Sequence, residues 1–303
     1  MRKFQGVYTA IITPFTETGE VDIDGLKQNI DYQLKNQIDG IVALGTTGES
    51  PTLTPQEKET VIKTTYEACK GKAPLIVGTG TNSTIGTIAA SRQAESHGAD
   101  ALLIVTPYYN KPSQQGIYEH FSAIAQAVSI PLIVYNHPHR TGQNISGDTL
   151  CKLAEVDNIL AVKDASGNLA QMEDVIEKVC RGNPAFSVLS GDDALTLPLM
   201  SLGGHGVVSV ISNLLPNEMK TLVNAAMHGD YDKAREIHFH LRPLLRALGA
   251  DSNPIPIKTA MRRCGMPAGS CRLPLVDMEP HHQYQLYEEL TKMCNDLMTM
   301  GVV

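Results

Sequence analysis

A lysine closes one of the most apolar segments of the chain. Lys163 follows residues 159–162, Ile-Leu-Ala-Val, which are typical of a buried strand. Burying an ammonium group is costly unless it is paired, and desolvation lowers the pKa of the amine. A neutral amine attacks carbonyl groups, so Lys163 is a candidate nucleophile for Schiff-base chemistry. The alternative is a structural lysine that forms an ion pair with a carboxylate such as Asp164 or Asp192.

Two further side chains lie at or just after the end of another strand-like segment. The phenol of Tyr135 could move a proton to and from a carbinolamine if neighbours such as Thr46 or Tyr109 polarise it. The alternative is a packing residue whose hydroxyl bonds to the backbone. Arg140 follows a few residues later, and its guanidinium fork suits a substrate carboxylate. A solvated charge or a local ion pair would explain this arginine equally well.

The segment 45–49, Gly-Thr-Thr-Gly-Glu, follows a third strand-like run. It could cradle a phosphate, but it lacks the lysine and the spacing of a P-loop. A nest of backbone N–H groups and hydroxyls for a small carboxylate suits it equally well.

No metal site is predicted. The ten histidines form no HExxH pattern, and His137 and His139 are only two residues apart in a loop. The six cysteines form no CxxC pair, and we expect them to be reduced thiols of a cytosolic protein.

Eight short apolar runs alternate with helical patterns and would bring these side chains together. Near-continuous apolar runs are typical of parallel strands buried on both faces. Eight such strands predict an α/β fold, a (β/α)8 TIM barrel, which places its active site at the carboxyl ends of the strands. An open doubly wound sheet is the alternative, although no G-x-G-x-x-G follows the first run. The predicted strands span residues 7–13, 40–45, 75–80, 101–106, 132–136, 159–163, 186–191 and 206–211.

Helical patterns fill the intervals between the predicted strands. Residues 24–34 carry apolar side chains on one face, and Thr54 and Glu57 form a capping box around Pro55. After Asp230 the strand signals stop and only helical rhythm continues. We therefore predict a catalytic barrel domain over residues 1–225 and a small C-terminal helical domain over residues 226–303. There is no Gly/Ser linker, so the helical domain should pack on the barrel.

The composition and net charge of the chain indicate which kinds of binding partner can be excluded. The chain has 303 residues, 42% of them hydrophobic, and a net charge of −7 without a Lys/Arg block. This argues against nucleic acid or an anionic membrane surface as a partner. No apolar run approaches the roughly 20 residues of a membrane helix, and the amino terminus does not resemble a secretion signal. We expect a cytoplasmic protein.

Taken together, the motifs resemble the dihydrodipicolinate synthase / N-acetylneuraminate lyase superfamily of class I aldolases. The resemblance runs from residue 6 to about residue 275. Within the superfamily, Arg140 and the pair Thr46-Thr47 resemble the dihydrodipicolinate synthase branch rather than the sialic acid lyases. The motifs are Gly-Thr-Thr-Gly-Glu at 45–49, Tyr-Tyr-Asn-Lys-Pro at 108–112, Tyr-Asn-x-Pro-x-Arg-Thr-Gly at 135–142, Lys163, Ser-Gly-Asp-Asp at 190–193 and Asn-Pro-Ile-Pro-x-Lys at 253–258.

The resemblance implies a role for each residue of the pyruvate half of the site. Lys163 would form an imine with pyruvate, so no metal or organic cofactor would be needed. Thr47 and the backbone near Gly191 and Val208 would hold the carboxylate of pyruvate.

The resemblance also implies how the second substrate is used. Tyr135, Thr46 and Tyr109 would form a proton relay, with Tyr109 supplied by a neighbouring subunit of a homotetramer built as a dimer of tight dimers. Arg140 would hold the carboxylate of L-aspartate 4-semialdehyde. The lyase reaction would yield 4-hydroxy-tetrahydrodipicolinate. This reaction would be the first committed step of diaminopimelate and lysine biosynthesis. A pyruvate-dependent aldolase acting on a sugar acid and a non-catalytic pyruvate-binding relative are the alternatives.

The chain departs from the pattern of lysine-regulated relatives. Their inhibitor site carries a histidine pair and a glutamate, where this chain has Pro55, Lys58 and Gly86. An inhibitor ammonium would lose its carboxylate partner at Gly86 and meet a like charge at Lys58. We therefore predict weak or absent inhibition by lysine. Asp164, where many relatives have glutamate, is a second departure, and its effect is open.

Overall fold

Eight parallel strands close into a barrel. The computed structural model describes residues 3–180 and 182–299, with the side chains of the last helix described up to residue 293. The strands are hydrogen-bonded in chain order, and the first pairs with the eighth. This closure confirms the predicted TIM barrel and makes the open-sheet alternative wrong. The strands are β1 (Gly6–Ala10), β2 (Gly40–Ala43), β3 (Leu75–Gly78), β4 (Ala101–Val105), β5 (Leu132–Asn136), β6 (Ile159–Asp164), β7 (Ser187–Ser190) and β8 (Gly206–Ser209).

Twelve α-helices are present in the described residues, and eight of them form the outer layer of the barrel. The short α5 is an extra turn in the loop after β5, and the last three helices follow the barrel. No described helix is both long and apolar enough to span a membrane. The helices are α1 (Ile23–Lys35), α2 (Pro55–Cys69), α3 (Thr84–Ser96), α4 (Gln114–Ala127), α5 (Pro138–Thr141), α6 (Gly147–Leu153), α7 (Leu169–Val175), α8 (Thr196–Ser201), α9 (Pro216–Met227), α10 (Tyr231–Leu248), α11 (Ile255–Arg263) and α12 (Pro280–Thr299).

The predicted start of α2 is confirmed in detail. The Thr54 hydroxyl accepts a hydrogen bond from the Glu57 N–H at 3.2 Å, and the Glu57 carboxylate accepts one from the Thr54 N–H at 2.8 Å. Pro55 occupies the first turn, where its missing N–H is no loss. Because α2 starts directly after the loop that follows β2, this cap helps to fix where that loop ends.

Side-chain alternation along the strands creates two separate cores. Residues that point outward pack against the helices, and residues that point inward fill the barrel. On β6, Ala161 belongs to the inner core and Val162 to the outer one. Lys163 comes two residues after Ala161, so the same alternation aims its side chain into the barrel.

The C-terminal helices pack against one another and return to the barrel. α10 contacts α9 and α12, and α11 contacts α12 and the short turn after β8. The predicted boundary between residues 225 and 226 falls inside α9, and the division into two domains stays a prediction. Residues 1–2, 181 and 300–303 of the predicted domains lie outside the described residues.

Candidate active site

Lys163 lies at the carboxyl end of β6, buried inside the mouth of the barrel. Its neighbour across the sheet is Tyr135, the residue paired with it on β5. The Lys163 Nζ atom is 4.2 Å from the centroid of the Tyr135 ring. Desolvation lowers the pKa of Lys163 to about 7, the charge of Asp193 opposes this shift, and the charge of Arg140 adds to it. A large fraction of this amine is therefore neutral near pH 7, as a nucleophile requires.

The carboxylates expected to pair with Lys163 in the alternative interpretation are engaged elsewhere. Asp164 is the next residue on β6, and its carboxylate accepts hydrogen bonds from Asn136 at 2.9 Å and from the hydroxyl of Ser166 at 2.6 Å. Asp192 is exposed and accepts a bond from the Ala194 N–H at 2.8 Å. Neither forms an ion pair with Lys163 within the described residues. The acidic group whose charge acts on Lys163 is Asp193, to which sequence reasoning gave no role.

Tyr135 and Thr46 lie close together in the structure. Burial raises the pKa of Tyr135 to about 12, while the positive charge of Arg140 and a hydrogen bond with Thr46 act in the opposite direction. The loop after β2 thus reaches the phenol that ends β5. A hydroxyl pair of this kind can pass a proton without either group being ionised at neutral pH.

Tyr109 does not join these residues. Its side chain is 89% exposed, and its backbone has a positive φ of 73°. The preceding residue, Tyr108, lines the site cavity instead. Within a single chain the predicted relay therefore contains Tyr135 and Thr46 only.

Asn253 connects the two residues predicted to bind carboxylates. Its side-chain amide donates a hydrogen bond to the Thr47 hydroxyl at 3.0 Å. Its backbone carbonyl oxygen accepts one from Nη2 of Arg140 at 3.0 Å. The amide oxygen of Asn253 is buried and has no partner within the described residues. Asn253 belongs to a motif noted in the sequence, but nothing in the sequence indicated that it would contact the loop after β2.

Gly191 provides the space that Lys163 occupies. A Cβ atom at this position would lie 3.0 Å from Cε of Lys163 and 2.9 Å from Cβ of Ala165. Val208, on β8, is buried in the inner core below the site. Both predicted pyruvate-binding residues therefore border the barrel interior into which Lys163 points.

A cavity of about 420 Å³ opens at this end of the barrel. Thr46, Tyr135, Arg140 and Asn253 line it. Such a volume lies in the range of small-molecule sites. No group of three His, Cys, Asp or Glu side chains that could hold a metal ion occurs in the described part of the chain.

The sequence matches the model of the Dihydrodipicolinate synthetase family over residues 3–293. The chain belongs to this family. A 4-hydroxy-tetrahydrodipicolinate synthase from Protochlamydia amoebophila is 52% identical over 297 residues, which cover 98% of this chain and 99% of that protein. The family resemblance drawn from the motifs is thereby confirmed.

Solved members of the family share the whole fold. The 4-hydroxy-tetrahydrodipicolinate synthase of Methylacidiphilum fumariolicum SolV is 42% identical, with 98% of each chain covered and a TM-score of 0.95. A dihydrodipicolinate synthase of Cyanidioschyzon merolae, solved with lysine bound, is 42% identical over 96% of this chain and 98% of that chain, with a TM-score of 0.92.

In this member of the dihydrodipicolinate synthetase family, a buried ion pair anchors the loop after β2. Glu49 ends the loop in a left-handed conformation, and its carboxylate accepts a hydrogen bond from Lys258 Nζ on α11 at 2.7 Å. Both side chains are almost fully buried. Lys258 also donates to the carbonyls of Thr13 at 3.1 Å and Ser270 at 3.0 Å, and the second Glu49 oxygen accepts from the Arg272 N–H at 2.9 Å. This network fixes the loop that carries Thr46 and Thr47.

Proposed function

We propose that this chain is a 4-hydroxy-tetrahydrodipicolinate synthase, a lyase that condenses pyruvate with L-aspartate 4-semialdehyde. The proposal rests above all on Lys163, a buried amine with a pKa near 7 that lies 4.2 Å from the ring of Tyr135 at the barrel mouth. Two 4-hydroxy-tetrahydrodipicolinate synthases are 52% and 47% identical to this chain over nearly its whole length, which supports the choice of reaction. This reaction is the first committed step of diaminopimelate and lysine biosynthesis.

The first half of the reaction builds the imine. The neutral Lys163 amine attacks the C2 carbonyl of pyruvate, and the carbinolamine oxygen leaves as water after receiving protons through Tyr135 and Thr46. The hydroxyl of Thr47 and the backbone at Gly191 and Val208 hold the pyruvate carboxylate. The covalent imine serves as the electron sink, so the proposal includes no other cofactor.

The second half forms the carbon–carbon bond. The iminium makes the pyruvate methyl group acidic, and loss of one proton from it gives an enamine. The enamine carbon attacks the aldehyde carbon of the semialdehyde, whose oxygen takes a proton. The amine of the semialdehyde then adds to C2 and displaces the nitrogen of Lys163, which closes the ring and frees the enzyme. Arg140 positions the semialdehyde through its carboxylate.

Borohydride reduction in the presence of pyruvate tests the first half. We expect a pyruvate-sized mass increase on Lys163, and its absence in the wild-type chain would overturn the proposal. Turnover of aspartate semialdehyde should also exceed turnover of sugar acids, whereas the reverse preference would favour the sugar-acid aldolase alternative.

Arg140→Lys should separate the two substrates. The lysine keeps the positive charge near Lys163 but loses the planar fork that pairs with a carboxylate. Because hydrogen bonds to charged groups contribute roughly 1.5–3 kcal/mol, we expect kcat/KM for the semialdehyde to fall roughly 10- to 100-fold. The KM for pyruvate should change little. Equal losses for both substrates would contradict the assigned role of Arg140.

We also propose that the enzyme assembles as a tetramer, a dimer of tight dimers, in which Tyr109 enters the site of a neighbouring subunit. The 89% exposure of its side chain in the single chain supports this part of the proposal. Tyr109 would then complete the relay begun by Tyr135 and Thr46. Cytoplasmic localisation stays a prediction.

Lysine should inhibit this enzyme weakly or not at all. Lys58, Ser50 and Tyr108 line the same cavity as Thr46, Tyr135 and Arg140, so an inhibitor bound beside Lys58 would bring its ammonium near a second ammonium. Gly86 offers no carboxylate in return. Half-inhibition by sub-millimolar lysine in a steady-state assay would contradict the prediction. The variant carrying Pro55→His, Lys58→His and Gly86→Glu should gain sensitivity to lysine.

A further inference from the structure

A half-buried aspartate near Lys163 has one buried carboxylate oxygen without a hydrogen bond. Asp193 follows β7, and its Oδ2 accepts hydrogen bonds from the backbone N–H groups of Val210 and Ile211, each at 2.9 Å. Its Oδ1 is buried and has no hydrogen-bond partner among the described residues. An ionised oxygen in this position is costly unless a cation compensates it. A positive charge close to Asp193 would therefore stabilise its ionised form.

The chain trace brings Asp193 to the Schiff-base lysine. Gly191 packs so closely on Lys163 that a Cβ there would be 3.0 Å from Cε of the lysine. Asp193 comes two residues later, and its Oδ2 is fixed to the segment that follows β8. The backbone thus holds this carboxylate at the side of the site where β6, β7 and β8 end.

The charged groups around this point are few. The charge of Asp193 raises the pKa of Lys163 against desolvation, and Arg140 lowers it. Desolvation raises the pKa of Asp193 and the charge of Asp192 adds to that shift, whereas the nearby Ser209 hydroxyl and the N–H groups of Ile211 and Val210 lower it.

Two further titratable groups face the same region without carrying charge at neutral pH. Burial raises the pKa of Tyr135 to about 12 and lowers that of His137 to about 4. Among these groups, the cation on which the charge of Asp193 acts is Lys163 and, after reaction, its imine.

We propose that Asp193 is a positioning residue whose carboxylate stabilises the positive charge of the Lys163 iminium. The inference rests on the proposed function, because only a Schiff base keeps a permanent cation at that nitrogen. A neutral imine is a weaker electron sink, so the carboxylate favours the form that yields the enamine. It also holds part of the free amine protonated, which sets the pH at which the site begins to react.

Asp193→Asn removes the charge and keeps an oxygen for the two backbone N–H groups. Without the carboxylate, the Lys163 ammonium loses stabilisation, so its pKa should fall by about one unit. The rising limb of kcat/KM for pyruvate against pH should move to lower pH by the same amount, because that profile reports the free enzyme. The value of kcat should fall roughly tenfold as the iminium loses stabilisation.

Two matched variants separate charge from structure. Asp192 is the exposed neighbour of Asp193, and Asp192→Asn should leave the rising limb of the pH profile in place. Asp193→Glu restores the negative charge and should return that limb toward its wild-type position. An Asp193→Asn enzyme with the wild-type pH limb would overturn the inference, and so would a uniform loss at every pH. Borohydride trapping of pyruvate on the wild-type chain is run alongside. Its failure would overturn the proposed function instead.

Discussion

Lys163→Arg should abolish condensation, with kcat reduced by at least about a thousandfold. Arginine keeps most of the side-chain length, but its guanidinium stays protonated and cannot attack a carbonyl. No imine can then form, and removal of a covalent nucleophile is among the most damaging changes to an enzyme. A steady-state assay with both substrates measures the loss directly.

Mass spectrometry after borohydride reduction with pyruvate provides the matching structural readout. The Lys163→Arg protein should carry no adduct, whereas Lys152→Arg, a conservative change at an exposed position on α6, should react like the wild type. An adduct on the Lys163→Arg chain would show that another amine forms the imine.

Lys258→Met should destabilise the fold by about 3–5 kcal/mol. The substitution removes one partner of the buried pair with Glu49 and leaves an uncompensated carboxylate in the interior. In a chain of this size the loss corresponds to a decrease of roughly 10 °C in melting temperature. The loop carrying Thr46 loses its anchor as well, so activity should fall at temperatures where the protein is still folded.

A double-mutant cycle with Glu49→Gln isolates the pair. The double variant should be more stable than the sum of the single losses indicates, because no buried charge is left unpaired. Lys27→Met is the control, since Lys27 forms an exposed ion pair with Asp24 at 3.3 Å and such pairs contribute less than about 1 kcal/mol. If Lys258→Met unfolded at the wild-type temperature, the anchoring role would be wrong.

The barrel could be predicted because its strands are local features. The segment 132–136 coincides with β5, and every other predicted strand overlaps the observed one with ends that differ by a few residues. The predicted last strand extends two residues beyond β8, because Ile211 is apolar and buried like a strand residue. It belongs to a short 3₁₀ turn after β8, which forms once the barrel hydrogen bonds stop.

Helix ends were less predictable where the hydrophobic pattern continues past the regular geometry. Leu169, Met172, Val175, Ile176 and Val179 recur at helical spacing in the sequence, yet α7 ends at Val175 and a π-helical turn, Ile176–Cys180, follows. Val128 continues the helical spacing of Ile117, Phe121 and Ile124 and is buried like them, but it lies just beyond α4. Burial decides which residues are apolar, whereas backbone hydrogen bonding decides where a helix ends.

The site was predictable only where strand ends bring residues together. Lys163 and Tyr135 end neighbouring strands, so their contact follows from the barrel itself. The pair Glu49–Lys258 joins residues 209 positions apart, and no periodicity in the sequence indicates that pairing. Asp193 is one of two adjacent aspartates, and only the folded loop shows that it is the less exposed of the two.

The dependence of the loop after β2 on α11 has a consequence for synthesis of the chain. Residues 45–49 leave the ribosome early, but the ammonium that neutralises Glu49 arrives more than two hundred residues later. β1 also waits for β8 before the barrel can close. A nascent chain that lacks its last fifth would therefore hold the Glu49 carboxylate without its partner, Lys258. The active site at the carboxyl ends of the strands therefore reaches its final structure only when translation is nearly complete.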